Sequence, residues 1–163
     1  MLQLLQAYFA AEKAESLVFM GFGWLALVLA ALVLWRVRDP LFRGIALPVL
    51  VVGAIQVAVG WTIHARTDAQ LEALAAQLAA DPAAFKADEL ARMAKVQTGF
   101  AIYKSVEALF IVAGLGLALW RGARRFWRGV GLGMLLQGSL MLPADLIAED
   151  RAAAYVGGLE ALP

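Results

Sequence analysis

Four stretches of the chain stay apolar for about 20 residues apiece, at about 16–35, 44–64, 97–120 and 129–148, with only isolated polar positions inside them. A helix rises 1.5 Å per residue, so each run is long enough to cross the roughly 30 Å hydrocarbon layer of a bilayer. The pattern predicts an all-α fold: a polytopic membrane four-helix bundle in a single membrane domain, residues 1–163.

Outside the apolar runs the hydrophobic spacing stays helical. Leu2, Leu5 and Phe9 precede Glu12 and Glu15, so residues 1–15 read as a helix running straight into the first span. Residues 67–95 read as two short amphipathic helices. The first places Leu71, Leu74 and Leu78 on one side. Asp81-Pro82 then supplies an N-cap with proline at the first helical position. The second carries Phe85, Leu90 and Met93, with Lys86, Asp88, Glu89 and Arg92 opposite. Two placements are open for this helical hairpin: resting on the lipid surface, or closing as a lid over the bundle mouth.

Composition agrees with the pattern. The 163 residues are 63% hydrophobic and 17% charged, with a mean hydropathy of +0.75. Little chain is left for a separate soluble domain. A net charge of +1 without a basic stripe gives no footprint for nucleic acid. The absence of cysteine excludes thiol redox chemistry and cysteine-ligated metal within the chain. The N-terminus lacks a basic segment, so no cleaved signal peptide is expected.

Charge asymmetry sets an expected topology. Residues 36–43 hold three arginines against Asp39, and Arg121, Arg124, Arg125 and Arg128 occupy the third connection without an acid. Arginine in short loops marks the cytoplasmic side. Both termini are then expected on the periplasmic side of a bacterial inner membrane. An offset of 85 residues aligns Leu32, Trp35, Arg36, Arg43, Gly44, Leu47 and Gly53 on Leu117, Trp120, Arg121, Arg128, Gly129, Leu132 and Gly138. Two origins compete: a duplication giving parallel repeats, 1–64 and 97–150, or shared membrane-edge composition.

The polar positions inside the spans are the candidate chemistry. Counted from the arginine edge, Gln137 lies roughly 12 Å deep, Gln56 roughly 18 Å and Glu107 roughly 20 Å. Lys104 and Asp145 fall near about 24 Å, and His64, Glu149 and Glu15 near about 30 Å. All the ionisable groups therefore fall in the outer half. Gln56 and His64 share a side of span two, Gln137, Asp145 and Glu149 a side of span four, and Tyr103 and Glu107 a side of span three. Convergence of these faces would enclose an outward-facing polar pocket for a small molecule, a lipid or a cation. Each member also has a structural reading. Lys104 and Glu107 fit a neutralising pair, and Asp145 lacks a base within one turn of its own helix: unpaired it would hold its proton, and pairing with Lys104 across the bundle would keep both charged. The glutamines fit interhelical hydrogen bonding, and Gly129–Gly133 fits a close helix contact, as Gly21, Gly23, Gly114 and Gly116 do.

One histidine and few serines leave no nucleophilic triad, and no metal or cofactor is expected. Nothing ionisable continues inward past the glutamines, which argues against a proton channel in a monomer. Two further readings stay open: an accessory subunit associating through its polar and glycine-lined helix faces, and a small transporter formed by a homodimer.

The segments Ala11-Glu12-Lys13-Ala14-Glu15-Ser16, opening span one, and Glu89-Leu90-Ala91-Arg92-Met93, before span three, resemble small uncharacterised bacterial four-span inner-membrane proteins. The resemblance covers most of the chain. It implies the class and the bacterial inner membrane, and carries no activity with it.

Overall fold

The computed structural model describes residues 1–162. It consists of four long helices: α1 (Leu2–Arg36), α2 (Pro40–Ala80), α3 (Pro82–Leu119) and α4 (Arg125–Glu160). All four are long and apolar enough to cross a membrane, which marks a multi-pass membrane protein in contact with lipid. The turns are short. Asp39 caps α2 by accepting from Leu41 N at 2.8 Å, and Asp81 caps α3 by accepting from Ala83 N and Ala84 N at 3.0 Å. Each cap is followed by a proline at the first helical position, where a missing N–H costs nothing. The Asp81-Pro82 signal was therefore legible.

The helices are longer than the apolar runs inside them. With 41 residues, α2 extends roughly 60 Å, about twice the hydrocarbon thickness. The expected short hairpin over residues 67–95 is replaced by direct continuations of α2 and α3, meeting in a one-residue turn at Asp81. These extensions pack with both chain ends into a second core of Leu5, Tyr8, Phe9, Phe85, Met93, Ala152, Tyr155 and Leu159, with Leu71, Leu74, Leu78 and Leu90 against it. The apolar sides of residues 67–95 thus find protein partners on α1 and α4. The physical reason is that the same three-and-four spacing continues past the span ends, so one buried stripe serves both parts of each helix.

Two ends can be named without assigning sides: the arginine end, with the first and third connections, and the termini end. In the centre α2 packs on α4. α1 packs on α2 and α3 on α4, and the α1 and α3 backbones do not approach each other. Large apolar side chains on α1 and α3, including Leu17, Phe22, Trp24, Leu109 and Val112, point outward, where only lipid suits them.

Glycine sets the approach of the central pair. A Cβ on Gly129 would run into the Leu41 carbonyl, and one on Gly44 into the Phe126 carbonyl. Gly133 seats Pro48 and the Ile45 carbonyl in the same way, so the Gly129–Gly133 pair is a helix contact. On the flanks Gly114 meets Gly131, and Gly23 meets Gly53. Gly21 and Gly116 depart from expectation, because a Cβ on either meets nothing within 4 Å. Gly21→Ala and Gly116→Ala should each raise stability by about 0.5–1 kcal/mol through helix propensity alone. Denaturant titration in detergent checks this, and a loss at either site would show that its surface is covered.

Candidate functional site

The polar groups of the membrane part gather between α3 and α4. Lys104 forms its ion pair with Glu149, not with Glu107 on its own helix or with Asp145 across the bundle. The direction of the side chains explains the choice. Helical side chains lean toward the N-terminus of their helix. α3 enters from the termini end and α4 from the arginine end, so Lys104 and Glu149 lean toward each other across their difference in depth. Glu107 is left beside Asp145, within carboxyl–carboxyl hydrogen-bond reach. Such a bond requires a proton on one of the two, so this pair can hold a proton that neither acid would share with lysine.

Gln56 of α2 donates its amide to the Met141 sulfur on α4 at 2.9 Å, and its own oxygen is buried without a partner. Gln137 is buried one turn nearer the arginine end. His64 is half-buried, with Nδ1 enclosed and unpartnered. Glu15 is exposed and pairs with Arg151 of α4. Tyr103 does not join the site. It is 59% exposed, because α3 presents a narrow stripe to α4 through Lys104, Glu107, Ile111 and Gly114, and Tyr103 falls beside it.

A second charged group at the termini end was missed. Glu12 of α1 accepts from Arg66 of α2 at 3.2 Å and lies within the electrostatic reach of Arg92 of α3 and Arg151 of α4. Each helix thus contributes one member. Next to it Glu89, with its side chain fully buried, accepts two bonds from Arg92 at 2.7 Å and one from the Tyr155 hydroxyl at 2.9 Å. Tyr155 lies beyond the apolar run of α4 and stacks on Tyr8 at 4.4 Å. Burial pushes its phenol up, and the Glu89 charge adds to this, so it stays a donor. The signal was present in the spacing: Leu5, Phe9, Glu12 and Ser16 follow one another at four, three and four residues.

Among the described residues five buried polar atoms have no hydrogen-bond partner: Glu12 Oε2, Gln56 Oε1, His64 Nδ1, Glu107 Oε2 and Arg151 Nε. Counted from the arginine edge, Gln56 and Glu107 lie at roughly 18–20 Å, past the middle of a roughly 30 Å span, and His64, Arg151 and Glu12 at roughly 30–36 Å, at or beyond its far edge; all four helices contribute. The expected open funnel is not seen there. Two shallow clefts lie elsewhere, one on the outward face of α3 and one between α2, α3 and α4 toward the arginine end. Among the described residues no three metal-ligating side chains come together to hold a metal ion. Comparison with protein-family models, with curated proteins and with solved structures gives no match.

Proposed function

We propose that this protein sits in a bacterial inner membrane with both termini on the periplasmic side, and that its termini-end half binds a small polar molecule between the helices. The observation that carries the reading is the set of five partnerless buried atoms. Each such atom, if it stays dry, costs about 1–3 kcal/mol. Three of them are carboxylate or amide oxygens and accept only, while Arg151 Nε only donates. The atoms span roughly 18 Å of helical rise from Gln56 to Glu12, so the complementary ligand is elongated and carries several donors, as an amine or a hydroxylated molecule does, and one acceptor. Its entry requires the Lys104–Glu149 and Arg151–Glu15 pairs to open. Several glycine-lined faces are already occupied within the chain, which weakens the alternative of partner association through them.

Native mass spectrometry of protein released gently from its own membrane tests the proposal. The wild type should carry an additional small mass, and Glu107→Gln and Glu12→Gln should lose at least about tenfold of it, as expected when a charged hydrogen bond of about 1.5–3 kcal/mol is removed. A wild type with no bound mass, and variants as stable as it is, would overturn the reading.

A further inference from the structure

The cleft between α2, α3 and α4 has a volume of about 200 Å³ and is lined by Leu47, Pro48, Val51 and Val52 of α2, Phe110 of α3, and Val130 and Met134 of α4. No polar side chain lines it. It occupies the half toward the arginine end, from roughly 3 Å to roughly 15 Å below the edge by helical rise. α4 forms its floor, and α2 and α3, which pack on each other only sparsely, form its walls. Immediately beyond its mouth lie the two arginine-bearing connections. They are tied together by Arg125 on Asp39 at 3.0 Å.

Seven of the chain's fourteen basic residues stand at this end against one acid, so the other six charges are uncompensated by protein, while the rest of the chain carries twelve acids against seven bases. Arg43 donates to the Leu34 carbonyl and Arg128 to those of Trp120 and Arg121, and Arg36 stacks on Trp35 at 4.0 Å. Their positive charge is held at the membrane edge and is not neutralised by these bonds. Arg121 and Arg124 flank the end of α3, above Phe110, and are exposed.

We infer that this end is a binding site for one anionic phospholipid, with its phosphate among the arginines of the two connections and an acyl chain in the cleft. Apolar walls alone would take any lipid of that leaflet. The concentration of positive charge at the mouth selects an anionic headgroup, since basic residues at a membrane surface attract acidic lipids additively. The site is separate from the polar groups at the termini end and does not depend on them.

The test uses the full-length protein in a mild detergent with equal amounts of phosphatidylglycerol and phosphatidylcholine of matched acyl chains, read by native mass spectrometry. The wild type should retain one phosphatidylglycerol in about tenfold preference. Val51→Trp, at a lipid-exposed wall position, should lose the retained lipid. Arg121→Gln with Arg124→Gln, outside the packed helices, should retain lipid with a clearly reduced preference. Equal retention of both lipids by the wild type would overturn the inference. So would a Val51→Trp protein that still retains phosphatidylglycerol, because the attraction would then be a diffuse surface effect without a seat. Should Val51→Trp fail to fold, the arginine variant decides, and an unchanged preference overturns the inference.

Discussion

Replacing Arg92 with methionine should destabilise the protein by about 3 kcal/mol or more, measured by denaturant unfolding in detergent. The Glu89 side chain is fully buried and accepts both of its short charged bonds from Arg92. Without that guanidinium only the Tyr155 hydroxyl remains on it. Removing one partner of a buried ion pair leaves an uncompensated charge, which costs more than the pair contributed. The double variant Glu89→Leu, Arg92→Met should therefore recover most of the loss. It leaves Tyr155 without an acceptor, at a cost of about 1–3 kcal/mol at most. An Arg92→Met loss below about 1 kcal/mol would mean that Glu89 is hydrated, and that the core at the termini end is looser than described.

The second large effect is expected at Gly129. Its Cβ would collide with the Leu41 carbonyl, a backbone group that cannot swing aside as a side chain does. Gly129→Ala gains about 1 kcal/mol in helix propensity but overpacks the α2–α4 crossing by about 1–3 kcal/mol, so a modest net loss is expected. Gly129→Leu adds bulk at the same point and should cost about 3 kcal/mol or more, because α2 and α4 must separate along their central contact. The comparison with Gly116→Ala isolates packing from propensity, as both are helical glycines and only one has a neighbour. Equal behaviour at the two sites would contradict the close central crossing.

The crossing has a regularity that bears on the repeat. Gly44 meets Gly129, Pro48 meets Gly133, and Gln56 meets Met141, each pair 85 residues apart. Residues related by a two-fold axis touch their own equivalents where the axis passes. We propose that the two hairpins are related in this way, by an axis along the membrane normal. The polar groups break the relation: the positions 85 residues before Lys104, Glu107, Asp145 and Glu149 hold Phe19, Phe22, Gly60 and His64. The carboxyl pair thus belongs to the α3–α4 hairpin alone, and Gly60 lets α1 close on α2 where Asp145 stands in the other half.

The spans were legible because an unbroken apolar run has few other uses at this length. The helix ends were not, because hydropathy falls where lipid ends while the buried stripe runs on against protein. Depth was legible as well: counting residues from the arginine edge puts Gln56 and Met141 at one level, where they meet. Partner choice was not legible. Lys104 lies as near in sequence to Glu107 as a salt bridge needs, yet the lean of its side chain sends it to Glu149. Tyr103 read as a site residue because a four-residue spacing keeps a face only while that face is wide, and α3 packs in the membrane mainly against α4. Glu12 did not read as a site residue because its partners, Arg66, Arg92 and Arg151, come from three other helices.

The central claim is that the termini-end half of the bundle holds a polar molecule. An experimental structure of the protein extracted together with its native lipids and solutes tests it most directly. Non-protein density within hydrogen-bond distance of Gln56 Oε1, His64 Nδ1 and Glu107 Oε2 is the predicted result. Side chains that turn to satisfy these atoms among themselves, with no density between the helices, would contradict it.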